Sequence, residues 1–393
     1  MTTSSSSARG QAGATIATTR RLLGVDAARA LALIGMMATH LEARTGADGE
    51  PTLAYLLASG KASALFAVLA GVGLALASGG PRPPTGKKWQ RAAAGTAARG
   101  GVLFAIGLII GGFDSGLAVI LTYYGVLFLV AIPFLRLPAG WLIGLGVSAA
   151  LVTPAISQQL RQDTAHSLTT GVPNLATLIQ DPSGTLTSIL LTGYYPVLTW
   201  TAYLFIGLGV GRMALGRARV ALTITAVGAA TAAATWFLSS QWLDRGGLDA
   251  LREAGLGGHI TSSPIDEDIL HTGFYGTTPT TSWSWLGIAS PHSGAPPDLL
   301  HTIGAALAVL GLTLLLAQLI KRAIWPLAAV GSMTFTLYSL HVVLIATVLP
   351  ASTEHALLIH VLVALVIAVP WRRLIGRGPL EALAAAAARA AGP

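Results

Sequence analysis

Polar interruptions cut the chain into apolar runs of about 14 to 26 residues, most of them long enough as helices to cross the ~30 Å of bilayer hydrocarbon. The runs fall at about 22–41, 53–78, 92–110, 117–135, 141–157, 195–213, 220–238, 299–320, 325–349 and 356–369. The pattern predicts an all-α polytopic membrane protein of about ten transmembrane helices. Between the runs lie an acidic loop at 42–52, a Pro-, Gly- and Lys-rich loop at 79–91, and a polar stretch at 158–187 in which 173–182 reads as a short interfacial helix. A loop of about 60 residues, 241–298, holds most of the remaining polar chemistry; such length marks functional or disordered segments. Residues 1–19 are rich in Ser, Thr, Ala and Gly without an apolar run, so a disordered tail is expected there rather than a cleaved leader. Residues 20–376 then form the membrane domain and 377–393 a second tail.

Charge orients this pattern. An even number of spans puts both termini on one side, and that side carries seventeen of the 24 Lys and Arg residues, while the other carries 14 of the 16 acids. Basic bias marks the cytoplasmic side, so a multi-pass cell-membrane protein with both termini in the cytoplasm is expected. Acids contribute little to that rule, which makes their excess a separate feature of the outer face.

Composition narrows the class further. With 53% hydrophobic and 10% charged residues and a mean hydropathy of +0.67, an ordinary soluble domain is excluded. The formal charge of +8 would suit nucleic acid, but the bases are spread over loop ends, so no nucleic-acid partner is expected. The absence of Cys removes thiol nucleophiles, disulfides and Cys-ligated metals.

The first run is unlike the others because it holds Asp26, Arg29 and His40, and an ionisable group at membrane depth is costly unless paired or hydrated. The eleven-residue interval from Arg29 to His40 returns to within about 20° of one helix face, some 16 Å further along the axis. One stripe therefore runs from Arg29 in the inner half to His40 at the outer mouth. Two readings stand. Asp26 and Arg29 form a neutralising pair and His40 is an interfacial residue; or the stripe lines a polar path and His40 is the general base at its end.

Lys61 lies about eight residues into the second run, roughly 12 Å deep, either snorkelling outward or fixed as a cation for an anionic group or developing oxyanion. In the outer loop, Asp266, Glu267, Asp268 and His271 match no strong ligand spacing and read as a solvated acidic turn, so no metal is expected. His292, Ser293 and Gly294 read as a rigid turn before a helix, with Asp298 and His301 at its mouth as caps or ligands. Tyr338 and His341 share a face of the ninth run and His360 lies in the tenth, all ranked as supporting groups. Gly71 and Gly73 read as helix-packing residues rather than a phosphate loop.

The Asp26-x-x-Arg29 pair, then ten residues, then His40 resembles the opening of acyltransferase family 3 membrane proteins. It is equally similar to the start of the heparan-alpha-glucosaminide N-acetyltransferases and the YeiB-like proteins. The segments 60-GKASALFAVLAGVGLALASG-79, 122-TYYGVLFLVAIPFLRL-137, 195-YPVLTWTAYLFIGLGVGR-212, 291-PHSG-294 and 376-GRGPLE-381 resemble the YeiB-like group. The resemblance implies a ten-helix transmembrane acyltransferase fold that moves an acyl group from a cytoplasmic thioester, usually acetyl-CoA, to a hydroxyl or amine outside. It implies that His40 is catalytic, with Asp26 and Arg29 along the same stripe. Arg29, Lys61, Tyr123, Tyr124, His292, Ser293, Asp298, His301, Tyr338 and His341 are then the candidates for binding donor or acceptor.

The expected partners are membrane lipid, acetyl-CoA or another acyl-CoA as donor, and an extracytoplasmic glycan, glycolipid or small molecule as acceptor, held between Phe274, Tyr275, Trp283 and Trp285. A homodimer is among the allowed assemblies. The rival readings are a transporter or flippase using the same polar path, and a non-catalytic envelope partner that keeps the fold. No internal repeat supports the transporter.

Overall fold

The computed structural model describes residues 22–162, 171–255 and 267–392. The tail expected at 1–19 and Asp266 of the acidic turn lie outside the described residues, as do the side chains of Glu267 and Asp268. The described residues are helical, with an isolated bridge between Thr45 and Pro51 as the strand-like pairing among them. In chain order the first six helices are Leu23–Leu41 (α1), Leu53–Ala58 (α2), Lys61–Ala77 (α3), Gly86–Ile110 (α4), Leu121–Ala131 (α5) and Ala139–Arg161 (α6). Leu175–Gln180 (α7), Pro182–Thr187 (α8), Val197–Gly211 (α9), Ala218–Trp242 (α10), Leu248–Ala254 (α11) and Glu267–Thr272 (α12) follow. Pro296–Leu319 (α13), Lys321–Gly331 (α14), Thr334–Thr347 (α15), Ala356–Leu374 (α16) and Pro379–Ala391 (α17) complete the chain.

Six helical stretches are long and apolar enough to cross a membrane, and up to eight if two bent pairs each count as one span. The bent pairs are Pro182–Thr192 with α9, at 50°, and α14 with α15, at 60°. The two remaining expected spans are α1, in which Asp26, Arg29 and His40 interrupt the apolar run, and the shorter apolar helix Leu121–Arg136. The second expected span divides at Ser59 and Gly60, where Gly60 takes a φ of 69°, a left-handed value that suits glycine.

α1 sits inside the bundle, packed by α3, α13, α14 and α16, and most of its residues are buried. Backbones approach closely where small residues meet. A Cβ on Gly207 of α9 would overlap the Val68 carbonyl of α3, and Gly228 and Gly304 allow the same contact between α10 and α13. Gly71 packs as expected, against Leu204, whereas Gly73 faces the Arg29 guanidinium.

Packing adds three features that the hydropathy pattern does not show. Arg212, in the turn that ends α9, is buried and donates to the carbonyls of Ala75, Gly80 and Leu135 and to Ser78 Oγ, at 2.5–2.9 Å. It satisfies helix-end carbonyls that water does not reach. The segment expected as a second tail holds α17, which lies against α4, and its Glu381 accepts from Phe335 N, Thr336 N and Thr336 Oγ1 at 2.6–3.2 Å, an acid on the first turn of α15. Of the four aromatics expected to hold an acceptor, Phe274 and Trp285 pack edge to face, 5.8 Å between centroids, in a small core with Leu251 and Ile288, while Trp283 is exposed.

Candidate active site

The site is organised by the two ends of α1. Near its start Asp26 is buried and accepts from Arg29 Nη1 at 3.0 Å, so the neutralising pair exists. Arg29 also lines a cavity of about 520 Å³, joined there by Arg99 of α4, Arg377, and Arg389 of α17. Phe66, Leu69, Leu121, Tyr124 and Phe128 form its less polar walls, and Glu381, occupied in capping α15, is its acid. Four guanidiniums beside an apolar wall, in a volume typical of small-molecule sites, suit a ligand with an anionic head and a less polar arm.

At the other end His40 lines a second cavity of about 250 Å³ with Thr39, Glu42, Arg44, Tyr55, Tyr194, Tyr195, Tyr275 and His292. The His40 Nδ1 lies 3.1 Å from His341 Nε2, and the rings meet edge to edge, 13° between their planes and centroids 5.4 Å apart. Its Nε2 has no hydrogen-bond partner among the described residues. A base with one nitrogen held and the other free is the arrangement that general-base catalysis needs.

His292 reaches this cavity because the 291–294 turn is pinned from behind. Phe274 N donates to Pro291 O at 2.8 Å and Gly276 N to His292 O at 2.9 Å. His292 takes a φ of 55°, a left-handed value uncommon outside glycine, and its ring lies 4.6 Å from that of Tyr194. Burial pushes the His292 imidazole down to about 3, with the charges of His40 and Arg44 adding to the effect, so it is neutral over the working pH range. The Tyr338 hydroxyl accepts from Ile120 N at 3.3 Å and reaches Ala118 O at 3.5 Å, bracing the 116–118 wall.

The partition between the cavities is thin. Tyr124 lines the larger one, and its hydroxyl reaches the carbonyl of Ser63, which lines the smaller one, at 3.5 Å; Phe66 stacks on the Tyr124 ring.

Other predicted residues gather elsewhere. Lys61 lies within the Leu53–Ala77 stretch as the first residue of α3, just after the break at Gly60, and its ammonium donates to Leu56 O at 2.8 Å. It lines a separate pocket of about 120 Å³ with His271, Asp298 and His301, and that pocket shares Tyr55 and Ser59 with the His40 cavity. Asp298 caps the turn by accepting from Gly294 N at 3.0 Å, and His301 Nδ1 lies 2.9 Å from Ala232 O. Ser293 is buried and its Oγ accepts from Ala295 N, while Tyr123 packs edge to face on Tyr195; neither lines these cavities. The expected sites did not include Arg99, Arg44, Tyr55, Tyr194, Arg377 and Arg389; Tyr194, Arg377 and Arg389 lie far along the chain from α1, and Arg44 and Tyr55 sit in and just after a polar loop where such residues are ordinary. Arg99 alone carried a readable signal, as a lone base inside an apolar run.

Comparison with curated proteins finds no match. The family model described as heparan-alpha-glucosaminide N-acetyltransferase, catalytic, matches residues 21–243, more than half of the chain. The match takes in α1 to α10 with Asp26, Arg29, His40 and Arg99, and ends before His292 and His341. A membrane enzyme of the acyltransferase class is the coarse function that follows, and the chain belongs to the heparan-alpha-glucosaminide N-acetyltransferase catalytic family.

Proposed function

We propose that the protein transfers an acetyl group from cytoplasmic acetyl-CoA to an extracytoplasmic hydroxyl or amine of an envelope glycan, glycolipid or small molecule. The carrying observation is the pair of cavities on one buried helix, an arginine-lined one at Arg29 and a polar one at His40, separated at Tyr124 and Ser63. The basic bias of the loops supports placing both termini and the arginine cavity on the cytoplasmic side of the cell membrane.

Arg29, Arg99, Arg377 and Arg389 would take the donor's phosphates as charge-assisted hydrogen bonds. The thioester arm would point along α1 toward the partition. At the far end the unpartnered Nε2 of His40 takes the proton of the acceptor as its oxygen or nitrogen attacks the thioester carbonyl. The carbon–sulfur bond then breaks, and the proton on His40 goes to the departing thiolate, leaving acetylated acceptor and free CoA. Tyr55, Tyr194, Tyr275 and Arg44 would hold the acceptor.

The test is calorimetry of CoA and acetyl-CoA with the purified protein, followed by acetyl transfer to a glucosaminide, the acceptor class the family's name suggests. Binding of both and transfer that disappears in His40→Ala, with the protein still folded, is the expected result. Transfer retained in His40→Ala would remove the role. Vectorial flux of intact substrate without acetylated product would instead favour a transporter built on the same two cavities.

A further inference from the structure

Behind His40 stands a row of three rings from three different helices. His40 Nδ1 lies 3.1 Å from His341 Nε2, His341 Nδ1 lies 3.1 Å from His360 Nδ1, and His360 Nε2 lies 3.2 Å from the backbone carbonyl of Leu349. His341 and His360 are buried and their rings meet edge to face at 4.7 Å. Helices α1, α15 and α16 contribute one ring each, so the row exists only in the folded bundle.

The row has a direction, and its far end sets it. A carbonyl oxygen only accepts, so with the three rings neutral His360 carries its proton on Nε2 and keeps a lone pair on Nδ1. That lone pair accepts from His341 Nδ1, which leaves the His341 Nε2 lone pair to accept from His40 Nδ1. The His40 Nε2, which has no partner among the described residues, is then the unprotonated nitrogen. Reversing any one ring sets two donors or two lone pairs against each other.

We propose that His341 and His360 are positioning residues that lock His40 in the tautomer with Nε2 free to accept a proton, the Leu349 carbonyl fixing the polarity of the whole row. The inference rests on the acyl-transfer reading, in which His40 Nε2 is the base. It places in neutral imidazoles the task that a carboxylate performs in other catalytic groups, holding ring and tautomer together. When His40 takes the acceptor's proton, the resulting imidazolium still donates from Nδ1 to His341, so the step needs no rearrangement behind it.

Two measurements decide it. Nitrogen NMR of ¹⁵N-histidine-labelled protein, assigned with single His→Gln variants, should show His40 and His341 protonated on Nδ1 and His360 on Nε2. A His40 ring protonated on Nε2 overturns the proposal. In the second, acetyl transfer from acetyl-CoA to octyl glucosaminide is compared for His360→Leu and His360→Asn. Leu removes the acceptor for His341 and should lower kcat on the order of tenfold or more with KM little changed. Asn offers an amide oxygen near the Nδ1 position and should restore most of the loss. Equal losses in both variants, or none in Leu, overturn the lock. If Leu does not fold, the spectrum of the unsubstituted protein decides alone. If the unsubstituted protein transfers nothing to the probe, the acyl-transfer reading fails while the tautomer pattern still tests the row.

Discussion

His292 is held in a left-handed backbone conformation and in a neutral form that becomes costly only at acid pH. Its imidazole is depressed to about 3 in the folded protein, against an ordinary 6.5, so between those values the unfolded chain binds the extra proton. Its contribution to stability is therefore constant above about pH 6.5 and is lost progressively as the pH falls toward 3. His292→Asn tolerates the left-handed backbone and cannot take up a proton, so the fall in Tm between pH 7 and pH 4.5 should be smaller in the variant. Thermal unfolding at the two pH values checks this, and an unchanged fall would show that other groups carry the acid sensitivity. His40 differs in kind: one nitrogen is engaged by His341 and the other has no partner among the described residues, the arrangement that the proposed base role requires.

Among the elements, α17 and the α3–α9 contact show how helices shape the two cavities. Glu381 holds the first turn of α15 through three hydrogen bonds, and α15 carries both Tyr338 and His341. Glu381→Ala leaves those donors unpaired and should cost about 1–3 kcal/mol, read as a lower denaturant midpoint. Because Glu381 is also the acid among the residues lining the arginine cavity, the same change removes a repulsion and should tighten CoA binding even as it lowers stability. At Gly207→Val a side chain would meet the Val68 backbone, forcing α9 from α3, and a loss of about 1–3 kcal/mol is expected in the same measurement.

Across the molecule, the donor and acceptor ends should be separable. Arg99→Ala and Arg377→Ala each remove a guanidinium from the larger cavity and should weaken CoA binding on the order of tenfold, while His40→Ala should leave it nearly unchanged and abolish turnover. Calorimetry with the three variants measures this directly. Equal effects on CoA binding from both ends would mean that the Tyr124–Ser63 partition does not divide the protein as the cavities suggest.

The sequence alone determined the helical membrane class, the positions of most spans, and the placing of Arg29 and His40 on one stripe of α1, because hydropathy and the helical period are local properties. It also exposed the family pattern around Asp26, Arg29 and His40. Only the tertiary structure decided which polar residues meet. His341 and His360 are three hundred residues from His40 yet complete its hydrogen-bonded row, and Arg377 and Arg389 return from the end of the chain to face Arg29. Lys61 is placed by a break at Gly60 that the hydropathy pattern does not show, and it lines a pocket separate from the one at Arg29. Contacts between helices depend on backbone breaks and on small residues that permit close approach, and neither is contained in the pattern of a single helix.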